Sequence, residues 1–109
     1  MDLAQAIYEM TYTLPKAETY ALISQMQRAA VSIPSNIAEG AGRDSNKDFS
    51  HFISIALGSL FELHTQIVLS ERIDYIDNNQ KNKILIMTNE LQKMLVGFRK
   101  KLDNSTHTI

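Results

Sequence analysis

The sequence predicts an all-α protein, an up-and-down antiparallel bundle of four helices. Apolar residues recur at spacings of three and four along four segments, as they do on the buried face of a helix. Proline and glycine are sparse, with two and four among 109 residues, so the frequent turns of a β-sandwich are missing. The connections between the four segments are short, and short connections place consecutive helices antiparallel.

Length and composition bound the class of protein. A chain of 109 residues supports one domain with one core, and we expect residues 1–109 to form it. The absence of cysteine excludes disulfides and thiolate metal sites and fits a reducing compartment. The first residues lack the basic and apolar parts of a signal peptide, and no apolar run approaches the ~18 residues of a membrane span. We therefore expect a cytoplasmic protein.

The first predicted helix covers residues 2–13. Its apolar residues fall on one stripe, and Asp2 is placed to cap its start. Pro15 ends this helix and suits the first turn of the next one. At about 1.5 Å per residue the helix is short, and the three helices predicted after it are much longer.

The second predicted helix covers residues 16–41 and carries Pro34 in its interior. Proline cannot donate a backbone hydrogen bond and crowds the preceding turn, so we expect a kink at Pro34 rather than a break. Gly40 and Gly42 are expected to end the helix, because glycine is the preferred residue just beyond a helix C-terminus.

The third predicted helix covers residues 45–72, and Ser45 with Asp48 makes a capping pair at its start. Apolar residues form two stripes along this helix, which predicts burial on more than one side. The fourth predicted helix covers residues 77–102. Asp77 and its partner three residues later make a second capping pair.

Helix length leads to a prediction of self-association. The first helix cannot cover the full length of its neighbours, so apolar surface on the second and third helices should remain exposed. An exposed apolar patch of this kind marks an interface. We therefore expect a homo-oligomer, although a ragged bundle end would explain the same pattern.

Polar side chains form a stripe on the second helix and another on the third, each at spacings of three and four. The two stripes are predicted to meet in a structural polar network, in which Arg28 binds Glu62 in the interior through its guanidinium fork. Gly58 would allow the two backbones to approach closely. The network either fixes the register of the helices or lines a ligand site, and we favour the structural role. Its members are Arg28, Ser32, Asn36, Glu39, Ser59, Glu62 and Gln66.

Basic residues are concentrated near the C-terminus. Residues 81–109 hold six basic and two acidic residues, a net +4, whereas residues 1–80 hold five and ten, a net −5. Such a cluster attracts phosphates, although cations in the last helical turn also complement the helix dipole. The candidate nucleic-acid-binding residues are Arg43, Lys47, Lys81, Lys83, Lys93, Arg99, Lys100 and Lys101.

Catalytic and metal motifs are absent from the sequence. A carboxylate di-iron bundle needs Glu-x-x-His on two helices, but Glu62 and His64 are two residues apart and point to different faces. No serine lies in a Gly-x-Ser-x-Gly turn, and Gly40-Ala41-Gly42 follows a helix instead of opening one. We expect no enzyme activity, no cofactor and no metal.

Two sequence blocks in a fixed order point to a family. Residues 28–40 read RAAVSIPSNIAEG, and residues 55–60 read IALGSL with Glu62 following. This combination closely resembles the 23S rRNA-intervening sequence proteins. The resemblance implies a four-helix bundle that assembles into a ring, a homopentamer. The accessory variability determinants of diversity-generating retroelements, which bind a reverse transcriptase and nucleic acid, are similar in fold.

Three functions compete on these grounds. The first is a non-enzymatic homo-oligomeric scaffold that presents a surface to another protein. The alternative is a nucleic-acid-binding accessory protein associated with rRNA or a reverse transcriptase, which the net charge of −1 disfavours. The third is an enzyme or small-ligand binder that uses Arg28, Asn36, Glu39 and Glu62, and it requires these residues to line an open pocket.

Overall fold

A computed structural model describes the backbone of residues 1–14 and 16–107, and the side chains of residues 1–14 and 21–105. Its helices are α1 (Asp2–Tyr12), α2 (Lys16–Ala41), α3 (Asn46–Arg72) and α4 (Asn78–His107), and the described backbone contains no strand. The α1 helix packs against α2 and α4, and α3 packs against the same two helices from the opposite corner. The predicted four-helix bundle is therefore confirmed.

The core runs along the bundle axis and is built mainly by α3. Burial of each large side chain stabilises the fold by about 1.5–3 kcal/mol. The largest apolar side chains that are almost fully buried are Ile7, Met26, Ile53, Leu60, Leu63 and Ile67. Four of these six belong to α3, so this helix supplies most of the surface on which the other helices pack.

Two helix starts follow the predicted capping chemistry. The Ser45 hydroxyl accepts a hydrogen bond of 3.1 Å from the Asp48 amide at the start of α3. At the start of α4 the pairing is reciprocal: the Gln80 amide donates to Asp77 over 2.7 Å, and the Asp77 amide donates to Gln80 over 2.9 Å. These bonds satisfy amides that the first helical turn leaves without partners.

Two other helix ends differ from the prediction. The N-cap of α1 is Met1, which makes no side-chain cap, and Asp2 lies inside the first turn, where its charge complements the helix dipole. The α4 helix continues beyond residue 102 to His107. The Ser50 hydroxyl donates to the Asp103 carboxylate over 2.5 Å, which ties the additional turn of α4 to the start of α3.

The α3 helix ends in a reversal built on a left-handed residue. Asp74 has a φ of 61°. The Asp74 amide bonds the Glu71 carbonyl over 3.0 Å, and the Tyr75 amide bonds the Ser70 carbonyl over 2.9 Å. This is the Schellman arrangement, in which aspartate stands at the position that usually holds glycine. It turns the chain so that Ile76 is buried before α4 begins.

Gly40 has a packing role that its position in the sequence does not reveal. It lies inside α2, one residue before the last, and is buried. A Cβ atom at Gly40 would lie 2.8 Å from Phe49 Cδ1 and 2.8 Å from Phe52 Cβ. Neither Gly40 nor Gly42 has a left-handed backbone. Close approach of α3, rather than a left-handed cap, therefore explains the glycine at position 40.

Two further predictions concern the close approach of the helices at Gly58 and the kink of α2 at Pro34. Gly58 is exposed, and no atom lies within 4 Å of the place where its Cβ would be. The predicted close approach at Gly58 is therefore wrong. The α2 helix continues without interruption through Pro34, and the kink there stays a prediction.

The molecule is a rod, and one of its corners is only partly filled. The Cα radius of gyration is 15.4 Å, against about 13 Å for a rounded domain of this length. The α1 helix is about 16 Å long and α3 about 40 Å. Where α1 begins, Met94 of α4 borders Met1 and remains 69% exposed. The uncovered apolar surface at this corner thus lies on α4.

Replacement of Gly40 by alanine should destabilise the bundle by about 1–3 kcal/mol, because the added methyl group overlaps two phenylalanine side chains. Gly97 is the matched control, since no atom lies within 4 Å of its Cβ position. Gly97→Ala should raise stability by up to about 1 kcal/mol through helix propensity. Urea unfolding followed by circular dichroism measures both changes. Equal stability of the two variants would contradict this account of Gly40.

Candidate interaction surface

Part of the predicted polar network is present between α2 and α3. The hydroxyls of Ser32 and Ser59 lie 2.8 Å apart across the two helices. The Asn36 amide nitrogen donates to the Ser32 carbonyl over 2.8 Å and to the Ser32 hydroxyl over 3.0 Å. All three side chains are half-buried. These bonds fix which turn of α2 lies beside which turn of α3.

The charged members of the predicted network are not part of this cluster. Glu39 binds Arg43 over 2.6 Å at the exposed end of α2. Glu62 is exposed and accepts a hydrogen bond of 3.3 Å from Gln66. Arg28 is exposed and makes no hydrogen bond or ion pair with any residue that the structure describes. The expected interior Arg28–Glu62 pair is therefore not formed, because both groups keep their hydration at the surface.

The outward side of α3 is apolar. Five exposed residues lie in an arc of roughly 120° at 100° per residue and form what we call the α3 outer face: Ile55, Gly58, Phe61, Thr65 and Leu69. The exposed Glu62 lies in the same arc, between Leu69 and Ile55. Phe61 is 50% exposed and Leu69 is 46% exposed. The sequence pattern predicted apolar residues on more than one side of this helix. Helix length also predicted exposed apolar surface on this helix, and the α3 outer face is exposed in the protomer.

The composition of α3 makes this exposure unusual. By length and composition this helix is apolar enough to cross a membrane, yet only 33% of its most apolar window is buried in the protomer. Core helices of water-soluble bundles pass the same test, and α3 packs against α2 and α4 as such helices do. The part of this window that is exposed is a surface that another molecule can cover.

Two shallow cavities lie along the seam between α1 and α4. One, of about 340 Å³, is bordered by Met1, Leu3 and Met94, and the other, of about 230 Å³, by Glu9 and Lys83 among others. Neither cavity is lined by the residues of the enzyme or ligand-binding hypothesis, which are Arg28, Asn36, Glu39 and Glu62. Among the described residues, no three His, Cys, Asp or Glu side chains converge as metal ligands would.

Three of the eight candidate nucleic-acid-binding residues are engaged within the protein. Lys81 binds Glu71 over 2.9 Å in a partly buried ion pair between α3 and α4. Arg43, besides its bond to Glu39, lies over the ring of Phe52 at 4.8 Å from the ring centroid. The guanidinium of Arg99 donates to the Ser54 hydroxyl over 3.3 Å. These contacts hold the cations against the bundle.

The other five candidates are exposed lysines, and they are unevenly placed. Lys47 begins α3, and the Ser50–Asp103 bond places it at the same end of the rod as Lys100 and Lys101. Lys93 lies at the middle of α4, about 10 Å from Lys100 along the helix axis. Lys83 lies about 25 Å from Lys100 along the helix axis. Three exposed lysines, Lys47, Lys100 and Lys101, therefore share one end of the bundle, and the meeting of Lys47 with the other two was not predicted from spacing along the sequence.

These features define a small all-α protein, an antiparallel four-helix bundle with an open apolar face. The family model of the 23S rRNA-intervening sequence protein matches residues 1–97. The chain therefore belongs to this family, as the sequence resemblance indicated. The relation to the accessory determinants of diversity-generating retroelements stays a prediction.

A solved structure agrees with the family assignment. It is the crystal structure of a protein with unknown function from the S23 ribosomal protein family of Bacteroides thetaiotaomicron. The two chains share 27% sequence identity, and the alignment covers 91% of this chain and 93% of the other with a TM-score of 0.80. No curated protein matches the chain.

The contact between Ser32 and Ser59 should contribute about 0.5–1.5 kcal/mol to stability, as a half-buried hydrogen bond between helices does. Ser59→Ala should lower the free energy of unfolding by this amount. Ser35→Ala, at an exposed position of α2, controls for the change in helix propensity. A double-mutant cycle that adds Ser32→Ala isolates the pair. A coupling energy of zero would show that the two hydroxyls do not stabilise each other.

Proposed function

We propose that this chain is a non-enzymatic assembly protein. Copies of it associate through the α3 outer face, and the resulting homo-oligomer is a scaffold for a protein partner. The observation that supports this proposal is the open apolar arc of α3, on a helix whose opposite side forms most of the core. Apolar residues scattered over a surface need no explanation, but several on one side of one helix do, and Ile55, Phe61 and Leu69 share the same side of α3.

The α3 outer face is small, which favours a closed ring of several copies over a dimer held by one such contact. Full burial of a phenylalanine or leucine side chain is worth about 1.5–3 kcal/mol, and half of Phe61 and of Leu69 is already buried. Association costs on the order of 4–15 kcal/mol in lost freedom of motion. A ring of n copies is built in n − 1 association steps but contains n contacts, so the last contact forms without a further loss of freedom of motion. Closure therefore compensates for a modest contact, which supports the ring that the resemblance implies, a homopentamer.

A protein surface suits the α3 outer face better than a membrane does. Insertion of α3 into lipid would withdraw Ile53, Leu60 and Leu63 from the core, where they are at most 1% exposed. The outer arc also includes Thr65 and Glu62, and a carboxylate in hydrocarbon is strongly disfavoured. Both polar groups can find partners on a protein surface.

Association through α3 should depend on its apolar side chains. Phe61→Glu combined with Leu69→Glu should convert the oligomer to protomers, because each added carboxylate would lose its hydration in the contact. The control is Asn82→Glu with Asn89→Glu, which adds the same charge to exposed positions of α4 and should leave the oligomer intact. Light scattering coupled to size-exclusion chromatography measures the mass. A wild-type protein that is monomeric at micromolar concentration would refute the proposed assembly.

A second candidate function is a nucleic-acid-binding accessory role, which the clustering of Lys47, Lys100 and Lys101 at one end of the bundle favours. A single copy places acidic residues near these lysines, among them Asp103. A ring would repeat the cluster and so multiply the number of phosphates within reach. Among the side chains that the structure describes, no row of exposed aromatic residues lies beside the lysines for base stacking, so the contact would be weakly sequence-specific.

Binding to structured RNA would be weakened by salt in proportion to the phosphates contacted. The logarithm of the affinity should fall with the logarithm of salt concentration by about 0.7–0.9 per phosphate. Replacement of Lys47, Lys100 and Lys101 by glutamine should reduce this slope, whereas Lys83→Gln at the other end should not change it. Fluorescence anisotropy over a salt series measures the slope. The nucleic-acid role is excluded if no binding is seen at low salt.

A further inference from the structure

Two opposite charges adjoin the α3 outer face. Glu62 follows Phe61 and falls on the side of that arc that is nearest to α2. Arg28 lies one helical turn before Ser32, whose hydroxyl touches Ser59, and Glu62 comes one turn after Ser59. Because α2 and α3 are antiparallel, Arg28 and Glu62 lie at the same level of the rod. Both side chains are exposed, and both lie beside the groove between the two helices.

Neither charge is neutralised by another side chain that the structure describes. Arg28 has no hydrogen-bonding or ionic partner among the described residues, and Glu62 has a single bond of 3.3 Å to the neutral amide of Gln66. The lack of an ionic partner costs little free energy while both groups are hydrated. When another copy covers the α3 outer face, Glu62 loses water and requires a cation. The exposed arginine beside the same face provides one whose planar fork matches a carboxylate.

We propose that Arg28 of one copy binds Glu62 of the adjacent copy and sets the register of the assembly. This inference rests on the proposed homo-oligomer, and its partner is a second copy of this chain. Apolar contact through Phe61 and Leu69 brings the copies together, and the ion pair selects one alignment among those that burial alone allows. Each copy carries both the cation and the carboxylate, so Arg28 of every copy in a ring can bind Glu62 of the next copy.

Charge reversal tests the pair. Arg28→Glu and Glu62→Arg should each raise the dissociation constant of the assembly by about 100-fold, because each change places like charges opposite one another. Lys83→Glu and Glu90→Arg are matched reversals at exposed positions of α4 and should leave assembly unchanged. Circular dichroism verifies that every variant retains the helical content of the wild-type protein, as expected for exposed substitutions.

A mixture of the two variants tells whether the pair forms between copies or within one. A copy with Arg28→Glu and a copy with Glu62→Arg present complementary charges, so the mixture should yield complexes that contain both. Native mass spectrometry distinguishes the variants by mass. If each variant alone dissociates but the mixture forms no joint complex, the pair between copies is refuted and the proposed oligomer stands. Single reversals that assemble as the wild type does also refute the pair. A monomeric wild-type protein overturns both proposals.

Discussion

The register between α2 and α3 is the constraint on which the rest of the structure depends. Gly40, near the end of α2, carries no Cβ, and the side chains of Phe49 and Phe52 in α3 fill the space. This approach fixes the two helices at one end, and the Ser32–Ser59 contact continues the same alignment further along the rod. A shift by one residue would rotate the apolar stripes of α3 away from the core. It would also separate the charges that adjoin the α3 outer face.

Most of the fold could be predicted from the sequence because its determinants are local. Three-four periodicity is a property of a single segment, and it identified all four helices. The caps at Ser45 and Asp77 involve residues three positions apart, so the sequence contains their whole chemistry. The role of Gly40 and the left-handed Asp74 were not predicted. The role of Gly40 depends on side chains of another helix that pack against it, and the left-handed backbone of Asp74 depends on where α4 begins.

The candidate site was only partly predictable, for a different reason. Spacing shows that Arg28, Ser32 and Asn36 share a face of α2, but it does not show how that face is rotated relative to α3. A rotation of a few tens of degrees separates the half-buried Ser32 from the exposed Arg28. The same limit applies to α3, whose two apolar stripes could be recognised in the sequence although their orientation could not. Which part of them faces the core and which faces outward depends on how neighbouring helices pack, and that is a property of the whole bundle.

The short first helix has a consequence for the motions of the molecule. The α1 helix has only 11 residues and rests on α2 and α4, whereas α3 is held along most of its length. An isolated helix of that size is marginal in water, so α1 persists because Leu3 and Ile7 are buried. Partial unfolding should therefore begin at α1, and detachment of this one segment would admit solvent to the centre of the bundle while the other three helices remain associated.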